Sequence, residues 1–494
     1  MLQFAGPHRL SRNANTLILC SFILSRLIYY WVGIRFQTKI ISDNFQFIDV
    51  ALLRDRLWES LYHFHMQPPL MNAYTGILVK CFPENYPFAM HVFYMILGLA
   101  SALLVYRIMR YLNVGPGLAL GLTIAFTVSP AVVLSENFPM YEYPMMVLLL
   151  ASSLALYHLI SKPGFWPSLG LFSLLACLAW IRALYHFYFL IAFAVLVAWF
   201  VRRNRLSVLA GSIAPLLSVL ALYIKNFLVF GMFGASSWLG FNMAVVTVHQ
   251  LTMDERNMLI DAGRLAPIAR VEPGAPPASY LPYIDPIVPT GIPVLDSFFK
   301  STGQINTNST PYLKAEPLFR KASMQALRAY PRAYLRSFLI AWFCYFRPST
   351  DFFQYDDLRR PIHRFDRLVN IVLFGQLREA SGPELRALKE SGHTVSLVLY
   401  TGIFLMLLFP TLLVWSGVLI WRGFRGRLLT WPQLGMLLFI TGNIVLLMVT
   451  TNLLSSFENN RYRFPTDCLY LILLGTLLQA ASAPMHSTRA RFVP

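Results

Sequence analysis

The sequence predicts an all-α polytopic membrane protein with about ten transmembrane helices. Interfacial helices are expected in the first outer loop, and a long outer segment between spans seven and eight. Three observations carry this reading. Hydrophobic residues make up 56% of the 494-residue chain and charged residues only 13%, about half the usual share in a soluble domain. The apolar residues gather in runs of about 17–25, the length that crosses a hydrocarbon core. Basic residues flank alternate runs, as the positive-inside rule requires.

The spans fall at 16–34, 87–106, 117–135, 144–160, 166–182, 184–201, 207–229, 395–421, 431–454 and 466–482. The first has basic residues ahead of it but is longer than a signal-peptide core and lacks a small-residue cleavage site, so it reads as a retained helix. Arg9 and Arg12 precede the first span, and Arg107 and Arg110 follow the second. Lys162 follows the fourth, Arg202, Arg203 and Arg205 the sixth, and Arg422, Arg425 and Arg427 the eighth, with Arg489 and Arg491 in the tail. All fall on one side, which puts both termini in the cytoplasm. The chain then divides into an N-terminal transmembrane catalytic module (1–229, with the first outer loop at 35–86), an extracytoplasmic segment (230–394) and a C-terminal transmembrane module (395–494). Within the outer segment SFLIAWFCYF, 337–346, is too short to span and reads as a helix lying in the interface.

The net charge of +18 needs no nucleic acid. Many of the arginines serve the membrane ends, and others sit in the long outer segment. Five scattered cysteines without a CxxC pair suggest neither a disulfide framework nor a zinc site. No cofactor is implied, and nothing in the spacing indicates a metal, although a divalent ion is left open.

Chemistry-bearing residues crowd the outward-facing ends. The first loop offers Asp43, Asp49, Asp55, Glu59, His63, His65 and Gln67, and the turn before the fourth span offers Glu136, Tyr141 and Glu142. Arg182 and His186 close the fifth span, Lys225 and Asn226 the seventh, and Glu458, Asn460, Arg461 and Arg463 precede the last. Ionisable groups at membrane depth are costly and mark a functional cavity by default. Asp55 and Glu59 alternate with Arg54 and Arg56 and read as surface ion pairs. His63, His65 and Tyr141 are as readily interfacial aromatics as ligands. Glu142 heads a span with only the helix dipole to stabilise it, and Asp49 lies in the apolar context FIDVALL. Both invite a functional reading. The paired prolines of HMQPPLMN, Pro68 and Pro69, stiffen the backbone beside His65 and Gln67.

In order, HMQPPLMN, YEYPMM, AWIRAL, IKNFLVFGMFGASSWLGFN and ENNRYRFP resemble the GT-C membrane glycosyltransferases. The likeness is closest to the glycosyltransferase family 39-like branch, which includes protein O-mannosyltransferases and lipid A aminoarabinose transferases. It covers most of 15–245 and 395–482. The resemblance implies inverting transfer of a sugar from a polyprenyl-phosphate donor to a lipid, glycan or protein acceptor on the outer side of the membrane. It implies a first-loop acid as catalytic base, carried onto Asp49 with Asp43 as rival, and a second acid, Glu142, that positions a substrate. His63, His65, Gln67, Tyr141, Arg182, Lys225, Asn226, Glu458 and Arg461 become the substrate-binding candidates. The chain departs from the pattern in two places. The Asp-Glu pair that opens the loop in some relatives is absent, and Gln67 stands where relatives carry a lysine, which shifts the phosphate duty to Arg182, Lys225 or Arg461. A transporter or flippase of lipid-linked sugars, or a surface-glycan polymerase or ligase, is the competing expectation. A bacterial inner membrane is the expected location, since no retention signal ends the chain.

Overall fold

The computed structural model describes residues 7–201, 203–379, 398–426 and 428–482. Arg202, Arg427, Arg489 and Arg491, and the start of the expected eighth span at 395–397, lie outside the described residues. Within them the chain is helical, with two isolated bridges and no strand. Among the described residues seven helices are long and apolar enough to cross a membrane, or eight when the pair broken at Ser129–Pro130 and bent by 51° is counted as one span. Pro130 opens the second half of that pair, Pro130–Glu136, and has no N–H to continue the hydrogen-bond ladder. The expected spans 166–182 and 184–201 are shorter helices, Phe165–Ile181 and Phe187–Val201. At about 1.5 Å per residue each falls short of a roughly 30 Å core. Between them the unwound stretch 182–186 carries Arg182 and His186.

A buried ion pair ties three membrane helices together. Arg26 in the helix Pro7–Trp31 meets Glu136 at 2.7 Å, and Tyr143 donates to the same carboxylate at 2.9 Å. Gly98 makes room for it, since a Cβ there would fall 2.1 Å from Glu136 Oε2. With desolvation costly at this depth, two charges are retained only when both are paired and hydrogen-bonded. The pair fixes the chain just before Tyr141 and Glu142.

The outer segment has its own core of Phe241, Leu259, Tyr280, Tyr312 and Phe319. Its helices Leu239–Val246 and Thr310–Ala329 pack against each other. The run expected in the interface belongs to a helix, Pro331–Tyr345, too short to span. It buries Ile340, Ala341 and Cys344, exposes Leu335 and Leu339, and is tied to the last helix through Tyr345 and Tyr470, whose hydroxyls are 3.1 Å apart.

Candidate functional site

A cavity of about 940 Å³ opens where the outer segment meets the helix ends. Several polar groups on its wall are placed by local features of the chain. Glu142 is the first residue of the helix Glu142–Ser161, with Tyr141 immediately ahead of it. Arg182 ends the helix Phe165–Ile181 in extended backbone, so its side chain leaves the helical stack. Tyr462 lies in the first turn of Asn459–Ser482. Just ahead of that helix Phe457 holds a φ of 78°, an uncommon conformation for a bulky residue and one that accumulates at functional sites.

Charge is unevenly matched around these residues. Glu142 is 4% exposed, and neither of its oxygens accepts a hydrogen bond. Among the described residues its one ion-pair contact is with Arg461, whose Nε lies 3.2 Å from Oε1. Arg461 is itself buried, paired with Glu458 at 3.0 Å and donating to the Tyr141 hydroxyl at 3.3 Å. Among the described residues no carboxylate makes direct ion-pair contact with Arg182, although Glu142 is near enough to act on it electrostatically. Its guanidinium is held between rings instead, 4.3 Å from the centroid of Tyr141 and 5.0 Å from that of Tyr462. The guanidinium therefore keeps N–H donors for an anion. His186 also lines the cavity, stacked on Tyr188, with Nδ1 unpartnered.

The opposite wall comes from the outer segment, through Asn242, Lys314, Glu316 and Arg320. Glu316 accepts from the Gly240 N–H at 3.0 Å. Burial pushes its carboxyl up, opposed by Arg320 and by that N–H. An apolar flank includes Met145, Leu184, Phe189, Phe230, Phe233 and Leu447, interspersed with small hydroxyl residues such as Ser236 and Thr451. The cavity thus combines an underpaired acid, a ring-held cation and an apolar flank.

Of the sequence candidates, Gln67, Tyr141, Glu142, Arg182 and His186 line this cavity. Arg461 and Glu458 join it through Glu142. The rest do other things. Asp49 caps the helix Val50–Asp55 by accepting from Ala51 N at 3.0 Å, and also accepts from Ser301 N at 2.5 Å and Ser301 Oγ at 2.7 Å. It lines a separate hollow of about 220 Å³ with Lys300 and Ser301. Burial holds Lys300 down at about 8 against the pull of Asp49 and Asp43. Asp43 accepts from Ser42 Oγ at 2.8 Å, and His63 donates from Nδ1 to the Glu59 carbonyl at 2.9 Å.

His65 is fully buried, and burial lowers its imidazole to about 3, so the ring is neutral at ordinary pH. Nε2 faces the Asn308 carbonyl at 2.9 Å and must donate to it, which leaves Nδ1 to accept from Ser237 Oγ at 2.6 Å. Asn308 in turn accepts from the backbone of His65 and Met66 and donates to the carbonyl of His63. These contacts fasten the first loop to the outer segment. They also consume the Asn308 amide, which is 3% exposed, so the NST triplet at 308–310 has no room for a glycan. Lys225 donates to the Phe64 carbonyl at 2.9 Å and Asn226 to that of Gly234 at 2.6 Å. Arg56 pairs with Glu59 at 3.2 Å on the surface, as their spacing predicts.

Residues that sequence reasoning passes over also reach the site. Gln46 donates to the Tyr141 hydroxyl at 3.0 Å and has a buried, unpartnered Oε1. Glu316, Lys314 and Arg320 are brought in by tertiary packing alone. Among the described residues no group of three His, Cys, Asp or Glu gathers as a metal site. Comparison of the chain with family models, curated proteins and solved structures returns no match.

Proposed function

We propose that this protein is an integral membrane glycosyltransferase, moving a sugar from a polyprenyl-phosphate donor to a hydroxyl acceptor on the outer side of the membrane, with inversion. The observation that carries the reading is the cavity wall on which a buried, underpaired carboxylate, Glu142, stands near a cation that is held by rings and makes no direct ion pair, Arg182. The apolar flank suits the first isoprene units of a donor that arrives from the lipid. The order of the five sequence stretches that resemble GT-C enzymes supports the same class.

In this mechanism Glu142 takes the acceptor proton as the acceptor oxygen bonds to the anomeric carbon. The bond from that carbon to the phosphate oxygen breaks, and polyprenyl phosphate leaves with a second negative charge. Arg182 meets that developing charge, which is where stabilisation raises the rate. General-base assistance contributes about 10²–10⁴ in rate. The base role moves from Asp49 to Glu142 because the Asp49 oxygens already serve the loop fold. Arg461 orients Glu142, and Tyr141 and Tyr462 hold Arg182.

The topology that belongs to this reading has both termini in the cytoplasm of a bacterial inner membrane, with the two shorter apolar helices crossing where the bilayer thins to their length and so completing about ten crossings. The acceptor is a lipid, a glycan or a protein, and no cofactor takes part. The test is purified protein given labelled polyprenyl-phosphate sugar and a mixed acceptor pool. Release of free polyprenyl phosphate with the label transferred supports the enzyme. Donor that crosses the bilayer intact with no polyprenyl phosphate released would replace it with a carrier of lipid-linked sugars.

A further inference from the structure

The helix His363–Phe374 is built inside out for a helix on a protein surface. Two of its polar residues face inward while His363, Arg364 and Arg367 stay exposed: Asp366 is fully buried, 3.4 Å from Arg359 Nε, and Asn370 donates to Asp366 at 3.2 Å and to Thr350 Oγ1 at 3.1 Å. Its apolar residues face outward, with Phe365, Leu368 and Val372 each more than half exposed. At about 100° per residue these three share one stripe; Arg364 runs along its edge, and Arg367, half exposed and 3.8 Å from Glu379, lies farther round on the same flank. A water-facing helix would carry the opposite pattern.

Its position supplies the occupant. Pro361, just ahead of the helix, comes within contact of Gly33, two residues past the end of the helix Pro7–Trp31. Tyr30 and Trp31 at that end are both largely exposed, as aromatic belt residues at a lipid–water boundary are. At its other end Gly375 lies against Phe404, in the first turn of the membrane helix Ile403–Phe424. The helix therefore runs level with the ends of two membrane helices, on the side where Phe352 lies against Arg461. We propose that His363–Phe374 lies in the lipid–water interface on the cavity side. The Phe365–Leu368–Val372 stripe sinks into the acyl boundary, while Arg364 and Arg367 hold the phosphates of anionic phospholipids. Buried apolar area and attraction to anionic lipid together set the strength of such a contact. The polar tether through Asp366 and Asn370 fixes the depth, which a helix anchored only by its apolar face would not have.

The experiment uses the full chain with the exposed Cys20 and Cys81 changed to serine, a fluorophore at Leu368→Cys, and nanodiscs of phosphatidylcholine and phosphatidylglycerol. A second label at Met258→Cys, in the outer segment, reports a water-facing site. Headgroup-depth doxyl lipid should remove much of the Leu368 emission and aqueous iodide little, with the reverse at Met258. Iodide quenching at Leu368 equal to that at Met258 would overturn the proposal. So would protection from both quenchers, since protein and not lipid would then cover the stripe. In a second arm, spin-labelled phosphatidylglycerol should quench the Leu368 label more than spin-labelled phosphatidylcholine does. Arg364→Gln with Arg367→Gln should erase that preference while doxyl quenching persists, and a preference unchanged in the double variant would overturn the role given to the arginines.

Discussion

Asp49 and Glu142 are both acids that sequence context singles out, and their surroundings in the fold are opposite. Asp49 accepts three hydrogen bonds, from Ala51 and Ser301, and so closes a helix and pins a loop at once. Glu142 accepts none and, among the described residues, has a single ion-pair contact, with Arg461. Buried polar groups are satisfied in the great majority of cases, and the exceptions call for an explanation. One acid spends its lone pairs on folding and the other keeps them facing a cavity. An apolar sequence neighbourhood marks both alike, so context alone does not separate a structural carboxylate from a reactive one.

The largest effect should come from Glu142→Gln, which keeps the shape of the side chain and removes its capacity to take a proton. Turnover of labelled donor should fall about 10²-fold or more, with little change in melting temperature. A variant that turns over at the native rate would remove the contrast between the two acids. Next in size is Arg182→Lys. A guanidinium grips two phosphate oxygens and stacks on tyrosine, which an ammonium does not, so kcat should fall more than KM rises. Arg203→Ala, on the opposite side in the proposed topology, serves as the control and should leave both constants alone. If Gln67→Lys restores part of the rate in the Arg182→Lys background, the phosphate lies beside both residues.

Smaller effects are expected at Asp49. Asparagine caps a helix about as well as aspartate, whereas alanine loses about 1 kcal/mol. Asp49→Asn should therefore leave turnover near native, and Asp49→Ala should lower the melting temperature while the remaining folded protein stays active. A loss of turnover in Asp49→Asn at native stability would return the base role to the first loop.

The membrane class and most of the apolar helices among the described residues were legible because apolar run length is a local property. Tyr141, Glu142, Arg182 and Arg461 were legible as isolated polar residues at helix ends. Their grouping was not, because Arg461 reaches Glu142 across more than three hundred residues of chain. Gln46 and Glu316 carried no signal, since a glutamine in a loop and a glutamate in an ordinary helix become notable only once packing buries them. The break at Ser129–Pro130 lay inside an apolar run that read as one span. The helix His363–Phe374 escaped for a different reason. Its periodicity is visible in the sequence, but periodicity says that two faces differ and not which one turns toward the protein.

The most direct test asks where the donor phosphate sits. A polyprenyl-phosphate analogue carrying a diazirine beside the phosphate, photolysed on the reconstituted protein, would be mapped by mass spectrometry of the cross-linked peptides. The account predicts adducts within 141–145, 182–189 and 458–462, suppressed by excess natural donor. Adducts confined to 43–56 and 297–306, around Asp49 and Ser301, would contradict it.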